Sequence, residues 1–181
     1  TLYLLAGATT LRVLARGWAV TWLGNLVGCS LLAMLFVLGG GGKILKDGAD
    51  LLHVVAIKKM TSPAIELVAR AILCNWLVCP AIWTAARTTN DAAKCILIFW
   101  CLFAFIASGF EHSVANMAIF AVALLSEHPD AVSYVGAARN LLWVTIGNAI
   151  SGARAGATGS STAVRGRTRW ATSPSHAFPP F

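Results

Sequence analysis

The sequence predicts an all-helical bundle that crosses a membrane several times. Three observations lead there. Of 181 residues, 57% are apolar and only 12% are charged, and the mean hydropathy of +0.72 is that of a polytopic membrane protein, not a soluble domain. The few charges gather between long apolar segments. One of those segments, residues 95–126 (CILIFWCLFAFIASGFEHSVANMAIFAVALLS), carries a single charge, Glu111, with His112 beside it near its middle. An ionisable pair at membrane depth is costly, and its default reading is function.

The remaining composition narrows the class. Seven Trp suit anchoring at a lipid–water interface. The formal charge of +7 implies no nucleic-acid partner: Arg154, Arg165, Arg167 and Arg169 sit in the tail, and most other basic residues flank apolar segments, as topogenic charges do. Cys29, Cys74, Cys79, Cys95 and Cys101 all lie in apolar segments without a C-x-x-C pair or metal-ligand spacing. They read as packing residues, and no cofactor is expected. The chain opens on Thr1 with neither an initiator Met nor a signal peptide, so a fragment is expected.

Four apolar segments follow in order. The first runs from about residue 17 to 38, uncharged between Arg16 and Lys43. A 26-residue connection, 39–64, opens with four glycines and carries Lys43, Lys46, Lys58 and Lys59; a short helix is expected around 51–59. The second segment, about 65–86, begins with Glu66 and Arg70 at the i,i+4 spacing of a helical ion pair. The third is the run at 95–126. As one straight helix its 32 residues would extend about 48 Å against a hydrocarbon core of about 30 Å. It must break, and Ser108-Gly109-Phe110-Glu111 has the Ser-x-x-Glu spacing of a capping box, so a helix is expected to restart at about Ser108. Unpaired backbone at mid-depth is tolerated only inside protein or beside a water-filled cavity, so the break points to a pathway. The fourth segment, about 138–153, has fourteen uncharged residues between Arg139 and Arg154, too few to cross alone.

Short polar loops at 87–94 and 127–132 make successive segments antiparallel neighbours. With the N-terminal end inside, eight basic residues lie inside and five outside. A weak internal repeat adds to this: Gly24-Asn25-Leu26-Val27-Gly28 recurs 123 residues later as Gly147-Asn148-Ala149-Ile150-Ser151, in a segment running the opposite way. Opposed repeats are the arrangement of many transporters. Both strings are also small-xxx-small faces, which serve helix packing. Subtracting 123 from the break near Ser108 places its counterpart upstream of residue 1.

The strings TWLGNLVG (21–28), LCNWLVCPAIW (73–83), FIASGFEHSVANM (105–117) and LLWVTIGNAISG (141–152) resemble the formate/nitrite transporter family over residues 1–153. They are most similar to its bacterial nitrite channels, in which a Trp follows the Asn, as Trp76 follows Asn75. The resemblance implies an aquaporin-like protomer with an inverted repeat. Six helices are implied, the second and fifth broken, in a homopentamer with one pore per protomer. The segments here would be helices three to six. The first two helices, with the loop that faces the central His, would be missing. Residues 154–181 depart from the family's apolar continuation and read as a basic polar tail, frameshifted or disordered.

On the same resemblance His112 is the central pore histidine. Lys59 attracts anions or pairs with Glu111, Asn75 and Asn148 line or buttress the pore, and Phe105 forms its outer constriction. Taken without the family, each has a plainer reading: a satisfied intramembrane His, a solvated Lys, interhelical Asn hydrogen bonds (the reading adopted for Asn25), a lipid-facing Phe. His53, His128 and His176 fall in loops or tail and receive no role.

The implied function is a non-enzymatic, multi-pass channel or transporter of the bacterial inner membrane. It would pass small monovalent weak-acid anions, nitrite ahead of formate or hydrosulfide, with protons exchanged at His112. Free amides at the restarted half-helix would favour anions. Two other readings stand beside it: a membrane anchor of a redox enzyme using His112 at a haem or quinone site, for which no second axial ligand is visible, and a non-functional fragment.

Overall fold

The computed structural model describes residues 10–85 and 87–171, with the side chains of residues 83 and 154–171 outside the description. Seven helices make up the secondary structure among the described residues: α1 (Leu11–Leu38), α2 (Gly42–Lys46), α3 (Ala49–Thr61), α4 (Ala64–Ala85), α5 (Asp91–Ala107), α6 (Ser113–Leu125) and α7 (Tyr134–Ala171).

Each boundary has a local cause. Thr10 caps α1, its hydroxyl accepting from Val13 N at 3.4 Å. The glycine run then ends it, because Gly40, Gly41 and Gly42 take φ of +84°, +63° and +54°, a region costly for any residue with a Cβ. α3 covers the expected 51–59 helix and adds residues at both ends. Asn90 caps α5 by accepting from Ala93 N at 3.0 Å.

α1 and α4 are each long and apolar enough to cross a membrane. α5 and α6, at 17 and 13 residues, rise about 26 and 20 Å at 1.5 Å per residue, so neither half suffices alone. α7 passes through the expected fourth segment and continues as a helical main chain to Ala171. The polar tail expected over 154–181 lies outside the described side chains, and 172–181 lies outside the described residues.

The break between α5 and α6 is real, but the capping box does not form it. Ser108 closes α5 instead of opening α6. Gly109 N bonds Ile106 O and Phe110 N bonds Phe105 O, both at 3.1 Å, with Gly109 at φ +65°. This is a Schellman ending, with Phe110 and Phe105 in its usual apolar positions. Glu111 does not reach back to Ser108, because Lys59 and Asn116 claim its carboxylate. α6 begins five residues later than expected, at Ser113, with His112 as its N-cap.

Two cores organise the packing. α4 lies along α7 around Leu67, Ala71 and Val144, all fully buried. Gly147 makes that approach possible, since a Cβ there would stand 2.6 Å from Ala71 Cβ and 2.7 Å from Val68 O. The other core gathers Ala56 and Met60 of α3, Met117, Phe120 and Ala123 of α6 and Ala137 and Leu141 of α7, with Trp22 and Leu26 of α1 against it. The two copies of the repeat therefore differ in use. Gly147 seats a helix, whereas nothing described lies within 4 Å of a Cβ at Gly24 or Gly28.

Candidate functional site

The break leaves residues 108–112 non-helical, Ser108 and Gly109 exposed and Glu111 buried, so the backbone groups where it meets α6 need partners. Asn148 supplies several. From α7 its Oδ1 accepts Ser113 N at 3.0 Å, while its Nδ2 donates to Glu111 O at 3.2 Å and Ala71 O at 2.9 Å. One carboxamide thus ties the break to both α4 and α7. Asn75 of α4 donates in turn to Asn148 O at 2.6 Å.

His112 has two neighbours that orient its ring. Nδ1 accepts from Ala115 N at 3.4 Å, which makes the imidazole the side-chain cap of α6. In the neutral ring that leaves the proton on Nε2. The Phe105 ring packs beside it, centroids 5.9 Å apart and tilted 32°. His112, Asn75 and Asn148 line one cavity of about 1390 Å³ bordered by α1, α6 and α7. The amides expected to be free at the start of α6 are partly engaged, Ser113 N by Asn148 and Ala115 N by His112; the positive end of the half-helix still abuts the cavity.

Glu111 and Lys59 stand behind this surface and are not among the cavity-lining residues. Lys59 Nζ lies 3.0 Å from Glu111 Oε1, with side chains only 14% and 2% exposed. Of the two roles expected for Lys59, pairing is the one its position serves. Asn116 Nδ2 donates to Glu111 Oε2 and, at 2.9 Å, to Asn140 Oδ1, and Asn140 Nδ2 donates to Lys59 O at 2.8 Å. The four residues close a hydrogen-bonded ring that starts and ends on Lys59. Asn116 and Asn140, 1% and 0% exposed, were not among the expected site residues. The one signal for Asn116 is its place in the EHSVAN string; Asn140 carries none beyond being polar in an apolar segment.

Two further expectations are revised. Asn25 makes no interhelical hydrogen bond to any described residue and instead lines the cavity; its neighbour Trp22 spans to α7, Nε1 donating to Thr145 Oγ1 at 3.0 Å. His53 is not in a loop but on α3, buried, 3.4 Å from Ser126 Oγ at the end of α6. His128 is in an exposed loop, as expected, and His176 lies outside the described residues.

A family model described as "Formate/nitrite transporter" matches residues 1–159. The "Nitrite transporter NirC" of Escherichia coli (strain K12) is 53% identical over 139 residues, which are 75% of this chain and 51% of that protein. The "Formate channel FocA" of the same organism is 32% identical over 166 residues, 81% of this chain and 58% of that one. A solved structure titled "FNT family ion channel" superposes with a TM-score of 0.79 at 45% identity, covering 87% of this chain and 63% of that chain. The chain spans about half the length of the curated relatives it matches.

Proposed function

The chain belongs to the formate/nitrite transporter family, and from that premise we propose that it carries small monovalent weak-acid anions past His112, nitrite in preference to formate. The preference follows the higher identity to the nitrite transporter, 53%, than to the formate channel, 32%.

One observation carries the pore assignment: His112 caps a half-helix at a break inside the bundle, with its ring bordering a cavity. An anion entering a dry constriction loses hydration and needs a donor in exchange. With Nδ1 turned to the α6 backbone, Nε2–H is the donor that remains, and the N-terminal end of α6 adds a favourable dipole. Lys59 contributes little net charge there, because Glu111 lies 3.0 Å away. The site is therefore close to neutral, and the anion is held by hydrogen bonds and a helix end. Weak holding suits rapid passage. Proton transfer to nitrite requires the imidazolium: a proton taken from solution at Nδ1, in place of the Ala115 N bond, would let Nε2–H pass to nitrite and leave a neutral ring, so His112 is the point at which proton coupling enters.

The remaining architecture is part of the same reading. α1, α4, the α5–α6 pair and α7 are helices three to six of an aquaporin-like protomer, in a homopentamer in the bacterial inner membrane. The repeat at 24–28 and 147–151, with Trp22 and Thr145 hydrogen-bonded at the same 123-residue offset, supports the inverted relation. The test is flux into proteoliposomes, nitrite against formate under one proton gradient. Nitrite is expected to be faster; equal rates would refute the preference, and no flux of either anion would refute the transport reading.

A further inference from the structure

The start of α7 holds the end of α3 by its main-chain carbonyls. α3 stops where Pro63 provides no N–H to extend the ladder, so its last carbonyls need donors from elsewhere. Ser62 satisfies Lys58 O through its own N and Oγ. Lys59 O, Met60 O and Ser62 O are taken by two consecutive residues of α7: Asn140 donates to Lys59 O at 2.8 Å, and Arg139 Nη1 donates to Met60 O at 3.2 Å and Ser62 O at 2.9 Å. The guanidinium brings positive charge to a helix C-terminus, where it is favourable. The two elements touch closely, since a Cβ on Gly136 would lie 2.9 Å from Met60 Cβ.

Lys59 is thereby held at both ends. Its carbonyl rests on Asn140 and its ammonium on Glu111, while Asn140 Oδ1 also receives the Asn116 amide that steadies the other Glu111 oxygen. Asn140 contacts no cavity-lining polar group of the break, yet it touches both halves of the circuit that fixes the carboxylate next to His112.

We propose that Asn140, braced by Arg139, is a positioning residue of the anion site. It sets the last turn of α3 so that Lys59 cancels Glu111 and keeps that carboxylate turned away from the pathway. The idea rests on the channel reading above for its functional consequence, but the positioning itself is open to a measurement that needs no transport. Loss of Asn140 frees the Lys59 end, Glu111 loses its fixed counter-charge, and negative charge is released where an anion must pass.

The experiment uses Asn140→Leu, Asn140→Asp and, as a control at the same junction, Ser62→Ala, which loses only a hydroxyl bond to Lys58 O. In detergent, acetylation of Lys59 is followed by mass spectrometry, with exposed Lys43 as the internal standard. Wild type and Ser62→Ala are expected to stay protected, and the Asn140 variants to label at least about tenfold faster, as for the loss of one buried hydrogen bond. In proteoliposomes Asn140→Asp is expected to slow nitrite flux, because its carboxylate cannot donate to Lys59 O and so releases Glu111 from its fixed counter-charge. Combining it with Glu111→Gln removes the released carboxylate, and flux should rise above that of Asn140→Asp alone. Continued protection of Lys59 in a monodisperse Asn140→Asp protein would overturn the proposal, as would a double variant no faster than Asn140→Asp alone. If wild type moves no nitrite, the channel reading falls, while Lys59 labelling still decides the positioning role.

Discussion

Removing one member of the buried Lys59–Glu111 pair should cost far more than removing both. Glu111→Gln keeps the side chain's volume and an oxygen for the Asn116 amide, but it leaves an ammonium that is only 14% exposed with no counter-charge. Lys59→Met leaves the carboxylate, 2% exposed, in the same position. At 3.0 Å two unit charges attract by about 5 to 6 kcal/mol at an effective dielectric constant of 20. Breaking a buried pair from one side typically costs about 3 to 5 kcal/mol, whereas replacing both partners by well-packed neutral groups is near neutral. Each single variant should then lower the melting temperature by roughly 6 to 20 °C, at about 2 to 4 °C per kcal/mol for a chain of this size. The double variant should recover most of that loss. The assay is thermal denaturation in detergent followed by Trp fluorescence, arranged as a double-mutant cycle. Losses that simply add would refute the assignment of Lys59 and Glu111 as a mutually compensating buried pair.

The helix break and the α4–α7 contact provide the other tests. Asn148→Leu removes three bonds, to Ser113 N, Glu111 O and Ala71 O, and should destabilise by at least about 3 kcal/mol in the same melt; Asn148→Asp keeps the acceptor for Ser113 N but turns an uncompensated carboxylate oxygen on two carbonyls, and should cost no less. Gly147→Val forces a side chain into a space where even a Cβ meets Ala71 at 2.6 Å, while Gly24→Ala meets nothing described. The first should lower the yield of monodisperse protein and cost more than about 1 to 3 kcal/mol, and the second should change stability by less than about 0.5 kcal/mol. Trp22→Phe deletes the indole donor to Thr145 and should cost about 1 kcal/mol, read as a shift in the melt.

The sequence made the need for a break legible by length alone, because 32 apolar residues overshoot a bilayer as one helix. Its position was less legible, for a physical reason. Ser108-Gly109-Phe110-Glu111 satisfies the pattern of a helix start, and Gly109 followed by Phe110 equally satisfies that of a helix end; a partner outside the segment decides between them. Glu111 is drawn to Lys59, 52 residues away, and no local spacing reports a contact of that range. The same holds for Asn140, whose bonds run to Lys59 and Asn116. His112 and Asn148 are marked by a helix break and a repeated motif, both readable from the chain, whereas Asn75 is marked only by the family resemblance of its string. Lys59 and Glu111 were found as a pair, yet their setting behind the cavity and not on it depends on how α3 packs against α6 and α7, which only the fold determines. His53 is the clearest omission: it lies within the expected 51–59 helix, but no local spacing reports that its side chain is buried against Ser126, 73 residues away.

Nitrite flux through His112→Asn, set against wild type in proteoliposomes of matched protein content, addresses the pore assignment most directly. Asn can still cap α6, so the break should survive, while the Nε2–H donor is lost. Flux should fall by at least about tenfold, as for one hydrogen bond to a charged group. A His112→Asn protein that passes nitrite at the wild-type rate would contradict the assignment of His112 as the anion's donor.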